Sequence, residues 1–202
     1  MNRREALQQV AWLMGGAISA PAVVGFLSGC APKQDATWKP VFLSPERAAL
    51  VAEVTEIMIP RTDTPGAKDI GIAALIDQML KDVYPKIDQD RFVAGLDAFD
   101  SQARTEFGSP FLKLGSDKQK DMIRTVTETA MAAERAYVGP APMPRPFILM
   151  TRELTLLGFF TSQAGASKVL QYNPVPGPYQ GCVPLAQAGS GKTWATEQTQ
   201  RF

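Results

Sequence analysis

Between Gln171 and Leu185 the chain reads Q-Y-N-P-V-P-G-P-Y-Q-G-C-V-P-L, with four prolines and two glycines in fifteen residues. Each proline fixes φ and withholds a backbone N–H, so the stretch can enter neither a helix interior nor a central strand. It is a stiff loop that displays Tyr172, Tyr179 and Cys182. Stiff loops lose little conformational freedom on docking, which suits them to recognition. The same composition also fits a surface connection that wraps its own domain.

Upstream, apolar residues recur at helical spacing between turn-forming residues. Ser44-Pro45-Glu46 has the form of a helix start: a hydroxyl cap, proline at the first helical position and an acid in the first turn. Leu50, Val51, Val54, Ile57 and Met58 then share one face, and this helix ends before Pro60. Residues 61–68, R-T-D-T-P-G-A-K, form a turn in which Asp63 or Thr64 can bond nearby backbone and Pro65-Gly66 reverses the chain. Ile72, Leu75, Ile76, Met79, Leu80 and Val83 predict a second helix, broken by Pro85. Phe92, Leu96, Phe99, Ala103 and Phe107 predict a third, from about Asp88 to Phe107, with its aromatics in the core.

Ser116-Asp117-Lys118-Gln119 has the form of a capping box, opening a fourth helix to about Tyr137 with Met122, Ile123, Val126 and Ala130 inside. A second proline-rich loop, Val138 to Pro146, leads into Phe147–Phe160, apolar almost all round apart from Arg152 and Glu153. A helix of that kind lies at the centre of a bundle or is half-buried in a partner. No segment alternates polar and apolar residues, so the expected fold is all-α, an irregular bundle of about five helices with two proline-rich loops.

The chain contains no histidine, which excludes His-dependent triads, histidine-ligated haem and the common zinc hydrolase sites. Cys30 and Cys182 are too few for an iron–sulfur cluster or a cysteine-rich zinc site. A formal charge of +1 without a basic cluster offers no footprint for nucleic acid. Chemistry involving this chain therefore calls for a second component.

At the amino terminus Arg3 and Arg4 precede a charge-free run, Val10 to Leu27. Basic residues before an apolar segment make an export signal, and the form R-R-x-x-L resembles a twin-arginine (Tat) signal, whose translocase exports folded proteins. Leu27-Ser28-Gly29-Cys30 resembles a lipoprotein cleavage box that would leave Cys30 lipidated and membrane-anchored. Cleavage without lipidation, or retention of the apolar run as an anchor, fits the same residues. Removal of residues 1–29 takes away Arg3, Arg4 and Glu5 and leaves a formally neutral chain. The organisation expected is a signal over 1–29, a tether over 30–43, a helical domain over 44–185 and a polar tail over 186–202.

Ala188-Gly-Ser-Gly-Lys-Thr193 imitates the end of a phosphate-binding loop, but Ala186 stands where the first glycine is required and no strand precedes it. Asp63, Asp69, Asp77 and Asp82 match no acid/base pair or calcium loop, and read as caps and solvated faces. Arg152 and Glu153, set in an apolar helix, need partners. If Cys30 is lipidated, Cys182 is either a free thiol or bridged to another chain; a Cys30–Cys182 disulfide is the alternative.

Three segments together resemble the gluconate 2-dehydrogenase subunit 3 family: I-P-R-T-D-T-P-G-A at residues 59–67, L-L-G-F-F-T-S at 156–162, and Y-N-P-V-P-G-P-Y-Q-G-C at 172–182. The resemblance implies a small non-catalytic subunit of a periplasmic sugar or polyol dehydrogenase. Its large partner, of the glucose–methanol–choline oxidoreductase type, would hold FAD and pass electrons to a cytochrome c, while this chain binds no cofactor or metal itself. The small subunit would carry the Tat signal for the folded pair. Partner contacts are expected at Thr62, Asp63, Thr64, Pro65 and Gly66 and at Tyr172, Pro174, Pro176, Gly177, Tyr179, Gly181 and Cys182. A free-standing exported helical lipoprotein with a binding or envelope role is the alternative.

Overall fold

The computed structural model describes residues 38–140, 143–172, 178, 181–187 and 191–195. A compact unit begins at Lys39, and its first residues are tied down. The backbone N–H groups of Val41, Phe42 and Leu43 donate to the carboxylate of Asp77 at 2.6, 3.1 and 2.7 Å. Asp77 is fully buried, which corrects its reading as a cap or a solvated acid. Its charge is held in the interior by three main-chain donors, the arrangement a buried carboxylate requires.

Among the described residues five α-helices follow. Helix α1, Pro45–Met58, starts as expected: Ser44 Oγ accepts from Arg47 N at 3.4 Å and Pro45 occupies the first turn. Helix α2, Ile72–Asp82, begins after Gly71, whose φ of 72° places it in the left-handed region that favours glycine. Ile72, Ile76 and Leu80 of its stripe are buried. Leu75 and Val83 are exposed. Helix α3, Lys86–Phe107, starts two residues earlier than expected because Pro85 serves as its cap position. Gln89 Nε2 reaches back to the carbonyls of Leu80 and Tyr84, at 2.8 and 3.0 Å, closing the α2 end on α3.

Helix α4, Ser116–Ala136, is capped differently from the sequence expectation. Ser116 lies inside the helix, Gly115 is the cap residue and no side chain bonds the cap. Gln119 turns instead to the short 3-10 turn at Phe111–Lys113 and donates to the carbonyl of Phe111 at 3.0 Å. The Phe111 carbonyl also accepts from Leu114 N at 3.1 Å, so Gln119 adds a second bond that ties α4 to this turn in place of a local capping box.

Helix α5, Phe147–Thr161, is the centre of the bundle and touches each of the other four. Phe147 joins Phe92 and Phe99 at ring-centroid distances of 6.0 and 5.4 Å, and Phe99 meets Phe111 at 4.8 Å. Two glycines permit the close crossings. A Cβ on Gly95 of α3 would lie 2.9 Å from Phe147 Cβ, and one on Gly158 of α5 would meet the Leu75 side chain of α2. The all-α expectation holds: the described residues contain no strand, only one isolated parallel pairing between Gln171 and Trp194.

Candidate functional site

The loop between α1 and α2 is held from below by two acids, Asp69, read from sequence as a cap or a solvated acid, and Glu56, which the sequence did not single out. Glu56, in the last turn of α1, accepts from Arg61 N at 3.1 Å and Lys68 N at 2.8 Å, bridging the loop's two ends. Asp69 Oδ2 accepts from Gly66 N at 2.9 Å, and Ala67 N bonds the carbonyl of Ile59 at 3.0 Å. Gly66 has no room for a side chain, since a Cβ there would meet the Glu56 carboxylate and lie 2.7 Å from Arg61 N. Asp63 or Thr64 was expected to bond nearby backbone; both side chains instead meet the Thr62 hydroxyl, the Asp63 carboxylate accepting from it at 3.0 Å and the Thr64 hydroxyl lying 3.3 Å from it. Thr62 N donates to the carbonyl of Thr64 at 3.0 Å. Thr62 and Asp63 are therefore presented to solvent on a braced loop, with Thr64 and Pro65 half-buried and Gly66 buried.

Beside this loop, where α1 runs out at Met58 and Ile59, a cleft of about 330 Å³ opens between α1, α4 and α5. Met58, Ile59, Ile123, Met131 and Leu156 supply its apolar lining. Arg152 lies on it and makes no ion pair with a described residue; its guanidinium donates only to Met131 Sδ, at 3.6 Å. A broader cleft of about 670 Å³ separates α3 from α4, walled largely by small side chains such as Ala94, Gly95 and Ala133 over Phe147.

Glu153, next to Arg152, points the other way and meets Arg145 at 2.5 Å. Arg145 also pairs with Glu134, so one guanidinium ties the second proline-rich loop to α4 and α5. Burial pushes the Glu153 carboxyl above its usual range and the neighbouring Glu134 adds to the effect, against Arg145 and Arg152. Burial, then Glu153 and Asp88, raise the nearby Tyr84 hydroxyl as well. The partners expected of Arg152 and Glu153 are thus a thioether and an arginine.

After α5 a five-residue π-turn, Gly165–Val169, leads to Gln171. Gln171 N donates to the carbonyl of Thr193 at 2.9 Å and Ala195 N to the carbonyl of Gln171 at 2.8 Å. The first residue of the proline-rich stretch is therefore bonded to Lys192, Thr193 and Ala195 of the polar tail. Tyr172, Gly181 and Cys182 are exposed, and Cys182 is a free thiol. Pro174, Pro176, Gly177 and Tyr179 lie outside the described residues, as do Arg3, Arg4 and Cys30. Among the described residues no hydrogen bond or ion pair joins the 60–66 loop to this stretch.

Among the described residues no three acids or cysteines converge as a metal site, and no helix is long and apolar enough to cross a membrane. Helix α5 leaves Leu157 51% and Phe160 40% exposed, an apolar pair beside the central crossings. No curated protein and no solved structure matches the chain. A family model does match, over residues 45–177, a span that takes in all five helices, the braced loop and the start of the proline-rich stretch. The chain belongs to the gluconate 2-dehydrogenase subunit 3 family.

Proposed function

We propose that this chain is the small, non-catalytic subunit of an exported flavoprotein sugar or polyol dehydrogenase, and that it docks to the large subunit through the 60–66 loop and the Tyr172–Cys182 stretch. The observation that carries the proposal is the family match across the helical body. FAD and substrate oxidation belong to the large subunit, of the glucose–methanol–choline type, with a cytochrome c receiving the electrons. The Tat-like signal at Arg3 and Arg4 serves both proteins, because a flavoprotein has to close around FAD before it is exported. Cys30 gives the pair a lipid anchor on the periplasmic side.

Two structural features support docking over a free-standing role. The loop is held in shape by Glu56 and Asp69, so little ordering is needed on binding. Leu157 and Phe160 remain exposed on a helix otherwise at the centre of the core, and such a pair gains from being covered. The test is co-purification with the large subunit from periplasm, together with an Arg3→Lys, Arg4→Lys variant. Both proteins are expected to be retained in the cytoplasm in that variant. A flavoprotein that reaches the periplasm in active form without this chain would overturn the proposal.

A further inference from the structure

Hydrogen bonds tie the polar tail back to the chain that follows α5. Besides the main-chain pairing of Gln171 with Thr193 and Ala195, the Gln171 side-chain amide donates to the carbonyl of Lys192. The Lys192 ammonium donates in turn to the carbonyl of Lys168, in the last turn of the π-turn. The last carbonyls of a helical segment lack partners within it and carry partial negative charge, so a lysine ammonium suits that position. Gly191, at a φ of 74°, turns the chain into this run in the left-handed region that favours glycine. Gly191 and Lys192, which in sequence imitate a phosphate-binding loop, thus serve a main-chain contact here. Gln171 and Lys192 lie 21 residues apart, so these bonds close the intervening chain, the proline-rich stretch included, into a loop with fixed ends.

We propose that residues 192–195 are a strap that sets the start of the docking stretch, holding Gln171 and the exposed Tyr172 in one relation to α5 before the large subunit binds. Prolines stiffen the stretch from within, but each fixes only its own φ and leaves open the direction in which the stretch departs from the helix. The strap fixes that direction. Pinning the ends of a loop reduces the conformations it samples when free, so less freedom is lost on binding. Lys192 and Ala195 are positioning residues in this role, the first acting through Lys168 and Gln171 and the second through Gln171 alone. The inference rests on the docking function proposed above and extends its machinery past residue 185 into the tail.

The experiment compares the unaltered full chain with a Lys192→Met, Ala195→Pro variant, which removes an ammonium and a backbone donor and leaves the tail in place. Amide exchange at Gln171, melting temperature, and affinity for the purified FAD-containing large subunit are measured on both. Residues 192–195 are exposed or half-buried, so the melting temperature is expected to stay within about 2 °C. The Gln171 amide is expected to exchange at least about tenfold faster in the variant, and the complex to weaken about tenfold, the size of leaving one backbone residue to be ordered on binding. Ala195→Pro alone removes no side chain that the large subunit could contact, and is expected to weaken binding about threefold. Lys192→Arg keeps a charged donor and is expected to retain Gln171 protection and affinity within about twofold. Equal Gln171 exchange in the double variant and the unaltered chain would show that no strap holds this residue. Faster exchange with unchanged affinity would overturn the proposal and leave the docking function standing. If the unaltered chain and the large subunit do not associate at all, the docking function fails, and the strap's role in it with it.

Discussion

A carboxylate placed where no water reaches is costly unless its lone pairs are occupied. Asp77 meets that condition with three backbone donors from a segment 34 to 36 residues earlier in the chain. Replacing it with alanine leaves those N–H groups in the interior facing nothing, at about 1–3 kcal/mol for each group that water cannot reach. Asp77→Ala is therefore expected to lower unfolding stability by at least about 2 kcal/mol and to free residues 41–43, seen as faster amide exchange there than in α2. Equal protection of Val41 and Leu43 in both proteins would refute the clamp. The sequence placed Asp77 on α2 but gave no sign of its role, because the partners are backbone atoms, which look the same at every position. Glu56 escaped notice for the same reason. Its position one turn before Pro60 is the sole local clue, since a long acid there can reach back over the reversal that follows.

At the scale of elements, the periodic apolar residues were sufficient to place all five helices, and Pro45, Pro60 and Pro85 set several boundaries close to where they lie. What periodicity could not supply was the pairing of helices, which rests on glycines that look incidental in sequence. Gly95 and Gly158 differ in an instructive way. Alanine in a helix interior is favoured over glycine by roughly 1 kcal/mol, while overpacking costs about 1–3 kcal/mol. At Gly95 the new methyl meets the Cβ of Phe147, which cannot move without shifting α5. At Gly158 it meets the ends of two side chains, Leu75, which is partly exposed and can rotate away, and the buried Ile72, whose Cδ1 would lie 3.0 Å off and has to give only slightly. Gly95→Ala is expected to lose about 1–2 kcal/mol in denaturant unfolding. Gly158→Ala is expected to stay within about 1 kcal/mol of the parent, and the reverse order would show that α5 is packed more tightly on α2 than on α3.

The Arg145 tie adds a pH-dependent term at the same scale. The folded chain holds the Glu153 proton more tightly than the unfolded chain does, because burial and Glu134 outweigh Arg145 and Arg152. Its contribution is fully present below the ordinary carboxylate range and is lost as pH rises through the raised folded value. Glu153→Gln removes that loss. Its melting temperature relative to the parent should therefore rise with pH across and just above the carboxylate range. A difference that instead falls with increasing pH would mean that the ion pair with Arg145 dominates.

For the whole molecule, the question is what completes a fold whose central helix is not fully covered. Helix α5 contacts each of the other four described helices, yet Leu157 and Phe160 are left 51% and 40% exposed on it. Fully burying a leucine or phenylalanine is worth about 1.5–3 kcal/mol, and roughly half of that remains unrealised here. Covering both in a complex would contribute about 2 kcal/mol, or roughly thirtyfold in Kd. Half of each side chain is already covered and Phe160 meets the ring of buried Phe159 at 5.3 Å, so lysine at both positions should cost the free chain about 2 kcal/mol. Leu157→Lys with Phe160→Lys is accordingly expected to lower the melting temperature of the isolated chain by only about 4–8 °C, leaving it folded, while weakening association with the large subunit at least thirtyfold. Titration of the purified large subunit by calorimetry checks this, and a less negative binding heat-capacity change should accompany the loss, since burial of apolar surface sets that quantity. Affinity and heat capacity both unchanged would place the α5 face outside the interface and confine docking to the braced loop and the proline-rich stretch.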